Sequence, residues 1–148
     1  LMVAIAVVGI ISGIAIPNII GWREDTKIRN VSRSLTADLH YGKTIAVREN
    51  TRAVIVVTGS DYTICLDDSG GNDCDPLEDV LRTRNMPSGF SLANDFADDA
   101  IGFDGAGVAW FAPDGSPVDE EATITLSSPG GKTAEVNVNF LGRIRLVE

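Results

Sequence analysis

The sequence predicts an α+β fold in which one long N-terminal α-helix packs on a mainly antiparallel β-sheet domain. Three observations predict it. Leu1–Ile20 carries no charged side chain, an apolar stripe at helical spacing runs on to Ala46, and after residue 52 the hydrophobic period falls from 3.6 to 2. The 148 residues divide accordingly into an apolar helix over 1–22, its amphipathic continuation over 23–52, and a globular β-rich domain over 53–148, large enough for one modest core.

Twenty helical residues span roughly 30 Å, the thickness of a bilayer's hydrocarbon core, and only Ser12 and Asn18 interrupt the apolar character of Leu1–Ile20. The run is long for the apolar core of a secretory signal, and Ala15-Ile16-Pro17-Asn18 makes a poor cleavage site. A transmembrane helix is the better reading. Charge then arrives abruptly with Arg23, Glu24, Asp25, Lys27, Arg29 and Arg33. Ile28, Val31, Leu35, Leu39, Gly42 and Ala46 recur at steps of three and four, while Lys27, Arg29, Arg33, Asp38, Lys43 and Arg48 between them are expected to face water. The helix is expected to end near Asn50. Pro17 lies inside it, with Gly13 and Gly21 on either side. A proline there removes one hydrogen bond and crowds the preceding turn, so the helix should kink or melt locally between about Gly13 and Gly21.

The strands follow. Ala53–Thr58 is β-branched, Gly59-Ser60-Asp61 offers a turn, and Tyr62–Leu66 returns as the second arm of a hairpin. A loop over Asp67–Asp79 leads to a short strand at Val80–Thr83. Further strands are expected at Gly107–Phe111, Ala122–Ser127, Ala134–Phe140 and Arg143–Val147, with turns at Ala112–Gly115 and Pro129–Lys132.

Net charge is −9, unevenly spread: residues 1–53 hold seven Lys and Arg against four Asp and Glu, residues 54–148 five against seventeen. The acidic half argues against a general nucleic-acid surface, since phosphates reward clustered Lys and Arg. It suits an exported domain. Cys65 and Cys74 bracket a turn-rich acidic loop, and their pairing in an oxidising compartment would contribute roughly 2–3 kcal/mol; the alternative is two separate thiols. His40, the single histidine, has no nucleophile near it in sequence, and nothing divides the carboxylates into a general acid and a base. No catalytic residue, cofactor or enzymatic activity is expected. Asp67, Asp73 and Asp75, with Asp68 and Asp79, are weak calcium candidates, because their spacing is not that of a helix–loop–helix calcium site; a solvated acidic loop is preferred. Asp95, Asp98, Asp99 and Asp104 form a second acidic cluster with less claim still.

Leu1–Asn18 (LMVAIAVVGIISGIAIPN) resembles the N-terminal helix of type IV pilins and type II secretion pseudopilins, with Pro17 matching that superfamily's helix-breaking proline. Val31–Asn50, the GVAWFAPDG segment at 107–115 and the ending Gly142-Arg143-Ile144-Arg145-Leu146 resemble its GspH/FimT branch of minor pilins and minor pseudopilins. The resemblance implies a pilin-like fold and a structural subunit of a type II secretion or type IV pilus filament. Leu1–Ile20 would be held in the inner membrane as a single pass before assembly, with the globular domain periplasmic or extracellular, and would enter a filament core afterwards. It also implies a methylated Phe and a Glu ahead of the position of Leu1. Other pilins or pseudopilins would be partners through the N-terminal helix, and exported protein cargo a further one. Two alternatives accompany it: a major homopolymeric subunit, and a DNA-binding minor pilin for DNA uptake. The last draws on Arg143 and Arg145, which strand alternation puts on one face within reach of neighbouring phosphates; DNA is not the favoured partner, since edge-strand arginines also pair with local carboxylates.

Overall fold

The computed structural model of the chain describes the backbone of residues 2–67, 74, 79–96, 99–111 and 121–147, and within these the side chains from Arg23 onward other than that of Phe111. One helix, α1 (Met2–Glu49), is followed by β1 (Arg52–Thr58), β2 (Asp61–Asp67), β3 (Val80–Asn85), β4 (Ser91–Asn94), β5 (Ala100–Phe103), β6 (Ala109–Phe111), β7 (Ala122–Ser127), β8 (Thr133–Val138) and β9 (Ile144–Val147). The helix stops where Asn50 turns left-handed at φ 51°. The Thr51 amide then donates back to the Ala46 carbonyl at 3.1 Å, satisfying one of the last turn's orphan acceptors.

The strands form two antiparallel sheets, ordered β3-β2-β1-β5-β6 and β4-β7-β8-β9. α1 packs against β1, β2 and β5 of the first and β7, β8 and β9 of the second. Its stripe is buried as helical spacing requires: Ile28, Leu35, Leu39 and Ala46 sit in one core with Ala53, Ile55 and Val57 of β1, Tyr62 and Ile64 of β2, and Ile124, Val136 and Ile144 of the second sheet.

β4 and β5 fall where the sequence shows no strand signal, and each omission has a physical reason. β4 is four residues long, too short to display a period. All four residues of β5 are buried, so apolar and polar positions cannot alternate. The same effect blurs β1, whose outer face belongs to a second, smaller cluster of Val54, Cys65, Ala100 and Trp110. Cys65, Val54, Gly102 and Trp110 stand opposite one another across β2, β1, β5 and β6. The indole lies so close over Gly102 that a Cβ there would overlap the ring, and the Arg52 guanidinium caps that ring 5.2 Å from its centroid.

The two sheets are joined at both ends. The Leu92 amide donates to the Gly59 carbonyl at 3.0 Å, and the Ala109 amide to the Phe140 carbonyl at 2.9 Å. The second bond brings the β8–β9 turn against the loop before β6. There Gly142, at φ 68°, meets the Gly107 carbonyl so closely that a Cβ would collide with its oxygen. Gly131, at φ 80°, has nothing within 4 Å of an added Cβ. Gly131→Ala should therefore cost only backbone strain, about 1 kcal/mol, whereas Gly142→Ala adds an overlap with immobile backbone and should cost about 3 kcal/mol or more. Chemical denaturation of the two variants in detergent checks the difference; equal losses would place the strain elsewhere.

Candidate functional site

A helix that carries a folded domain needs fixings that set its rotation and height as well as an apolar stripe. Along α1 these fixings are polar, and two of them reverse expectations drawn from the sequence. Asp38 was expected to face water, yet its side chain is only 3% exposed. It accepts a hydrogen bond from the Tyr62 hydroxyl at 2.7 Å and from Arg84 Nε at 3.0 Å, while Arg82 pairs with its other oxygen. Register explains the convergence. Arg84 stands opposite Tyr62 and Arg82 opposite Ile64, so both arginines share the helix-facing side of the first sheet. β3 closes that sheet, and inward-pointing charges there discourage a further strand from adding to it. The Arg82 guanidinium also lies 4.8 Å from the centroid of the Tyr41 ring. Burial, followed by the hydrogen bond to Asp38 and its negative charge, pushes the Tyr62 phenol well above its ordinary value; Arg84 and Arg82 pull it back in part.

Lys43 is the second reversal. It is half-buried, and its Nζ donates to the Gly142 carbonyl at 2.7 Å and to that of Leu141 at 3.4 Å. The ammonium thus ties α1 to the β8–β9 turn. A third fixing lies just past the apolar run, where Lys132 of the β7–β8 turn pairs with Asp25 and Gly130 lies close against the Glu24 carboxylate. The charge pattern of α1 alone carries no sign of these partners, all of which come from distant strands and turns.

The residues singled out in the sequence fall in separate places. Cys65 and Cys74 are joined by a disulfide on the outer face of the first sheet, beside Val54 and Trp110. Asp67 is buried at the end of β2, opposite Arg52; Asp73 and Asp75 lie outside the described residues. Among the described residues no group of three or more His, Cys, Asp or Glu is placed to hold a metal ion. In the second acidic cluster each described carboxylate is taken up by a donor within the domain: Asp95 accepts from the Thr123 amide of β7, Asp99 from Asn94, and Asp104 from the Ala106 and Val108 amides. Asp98 is outside the described residues. His40 is exposed on α1, beside Lys43, Thr44, Val47 and Arg48.

Arg143 and Arg145 are both exposed, with Ile144 buried between them. Arg145 lies 3.8 Å from Glu121, whose carboxylate also accepts from Asn137 at 3.1 Å. Gly13 and Pro17 fall within α1, which is helical throughout Met2–Glu49, so the local melting expected between Gly13 and Gly21 does not occur; the side chains of 1–22 are outside those described. Among the residues described with their side chains, from Arg23 onward, no helix is long and apolar enough to cross a membrane.

A protein-family model described as type II transport protein GspH matches residues 31–142. Among solved structures, the type IV minor pilin FimU of Pseudomonas aeruginosa superposes with a TM-score of 0.64 at 19% identity, covering 86% of this chain and 92% of FimU. The minor pseudopilin EpsH from the type 2 secretion system of Vibrio cholerae superposes with a TM-score of 0.60 at 11% identity, covering 82% of this chain and 96% of EpsH. At these identities the likeness is one of fold, and it establishes the pilin-like arrangement of one N-terminal helix on antiparallel sheets. No curated protein matches the chain.

The Asp38 cluster makes two expectations measurable. Asp38→Asn keeps a neutral acceptor, whereas Arg82→Met with Arg84→Met strands a buried carboxylate; the double variant should lose about 3 kcal/mol or more at neutral pH and exceed the single one, as read by urea denaturation. A phenol whose folded pKa is raised supports the fold fully below its unfolded value of 10.0 and progressively less as pH climbs beyond it. Stability should therefore decline above pH 10, and Tyr62→Phe should flatten that decline in a pH series of melting temperatures.

Proposed function

The chain belongs to the GspH family of type II transport proteins, and from that premise we propose that it works as a minor pseudopilin or minor pilin, a structural subunit of a filament assembled at the inner membrane. The observation that carries this reading is one helix serving two masters. Its first twenty residues are uncharged, and it continues without interruption into a half that both sheets grip.

In this reading residues 1–22 are the transmembrane and filament-core segment, 23–52 couple it to the domain, and 53–148 stand outside the membrane. Lipid around Leu1–Ile20 is exchanged for the apolar helices of neighbouring pilin-like subunits, so the run need not meet water during transfer. Gly9, Gly13 and Ala15 allow close helix approach, and Pro17 supplies the bend that packing requires. The disulfide fits an oxidising, extracytoplasmic location for the domain. Exported cargo is a partner of the same kind of assembly in a secretion system. Structural subunits of this kind do their work by assembly. The DNA-uptake reading is not favoured, because Glu121 beside Arg145 offsets part of the charge that would hold a phosphate.

Placing one carboxylate in the apolar run tests the assignment. Ile11→Asp costs about 3 kcal/mol at the centre of a membrane helix and should abolish membrane retention and filament incorporation while leaving the domain's near-ultraviolet circular dichroism intact. Undiminished incorporation would defeat the proposal. In a companion measurement the parent chain should show no salt-sensitive binding of double-stranded DNA, and Arg143→Ala with Arg145→Ala no further loss; a steep salt dependence abolished by that pair would move the protein to the DNA-binding reading.

A further inference from the structure

The end of α1 farthest from the apolar run displays apolar surface that the domain's own core does not use. Val47 is 47% exposed, Phe140 48% and Leu141 61%. They are neighbours: Lys43 bonds the Leu141 and Gly142 carbonyls, and a Cβ on Gly107 would lie 2.8 Å from Lys43 Cε and 3.3 Å from Val47 Cγ2. A shallow groove of about 440 Å³ runs alongside, lined by His40, Lys43, Thr44, Val47 and Arg48.

Two properties distinguish this patch from incidental exposure. It is held outward by rigid backbone. The left-handed Gly107 and Gly142, the 2.9 Å bond from Ala109 to the Phe140 carbonyl and the Lys43 tie leave the turn little freedom to fold its side chains inward. Apolar groups fixed in advance lose little entropy when a partner covers them. The patch is also basic within an acidic protein: Lys43 and Arg143 flank it, while the charge of Arg48 is offset by Glu49 at 2.8 Å, in a chain of net charge −9. Its place on α1, more than twenty residues and so roughly 35 Å beyond Ile20, puts it out of reach of a bilayer enclosing Leu1–Ile20.

We propose that Val47, Phe140 and Leu141, with their basic rim, form a docking surface for the acidic globular domain of a neighbouring pilin-like subunit. The inference rests on the filament reading above and adds to it a second contact, between domains rather than between apolar helices. Charge complementarity selects the partner. A domain built like this one is acidic, with seventeen Asp and Glu against five Lys and Arg after residue 53, so a neighbour of similar make would present carboxylates to the rim while an apolar residue covers Leu141. Apolar contact supplies the affinity and the charges fix the register.

The test uses the full chain in cells that assemble the filament, with p-benzoylphenylalanine in place of Leu141 and, in a parallel strain, in place of Val8. The expected product at position 141 is a light-dependent adduct to a pilin-like subunit, through a peptide in which mass spectrometry finds Asp or Glu beside apolar residues. Arg143→Glu, whose side chain has no hydrogen-bond or ion-pair partner among the described residues, should lower the yield about three- to tenfold. An adduct to lipid, an adduct to a peptide without carboxylates, or a yield unmoved by Arg143→Glu overturns the proposal. So does the absence of any adduct at 141 when position 8 cross-links to a pilin-like subunit, an outcome that leaves the filament reading standing. If neither position yields a pilin-like adduct, the filament reading falls and the domain contact with it.

Discussion

The structure depends on one constraint: a single helix must leave its first stretch free of the domain and bury one stripe of the remainder between two sheets. Neither sheet meets that stripe alone. β1, β2 and β5 take one flank of α1 while β7, β8 and β9 take the other, and Leu35 and Leu39, both fully buried, lie in the core they enclose. The helix is therefore the shared wall of the domain, and the sheets cohere largely because both pack on it.

Apolar packing of this kind is tolerant of small rotations, since Leu and Ile interdigitate in more than one way. The polar fixings are not. A carboxylate that accepts from a phenol and pairs with two guanidinium groups has few satisfactory positions, and removing its partners would leave it desolvated without compensation. Asp38 thus sets the rotation of α1 against the first sheet. Lys43 plays the corresponding part for the second sheet through the β8–β9 turn. Division of labour between apolar and polar contacts explains why a chain with so modest a core keeps a buried ion cluster at all.

Much of this was legible in the sequence. The α1 stripe, the β1–β2 hairpin and the Cys65–Cys74 pair each rest on local pattern or short-range spacing, and patterns survive without knowledge of neighbours. Asp38 and Lys43 were misplaced for the complementary reason. Their helical positions are polar by type, and only the arrival of β3 and the β8–β9 turn turns them into interior groups. Arg82 and Arg84, one residue apart within a short strand, hinted that the strand had a charged inner face; what they face could not be read without the register to Tyr62 and Ile64. β5 was invisible because burial on both sides erases alternation, and Gly102 within it makes sense only beneath Trp110.

The Asp25–Lys132 pair and the seating of Gly130 against Glu24 also have a mechanical meaning. Met2 lies twenty-two residues ahead of Glu24 along α1, roughly 33 Å. At that distance each degree of angular play at the bracket displaces the helix by roughly 0.6 Å, and ten degrees by more than the width of a side chain. A turn that grips the helix at the foot of the domain, rather than higher up, gives the shortest unsupported arm and the tightest aim. Tolerance along the apolar run is thus set by a lysine, a glycine and two carboxylates that lie beyond it.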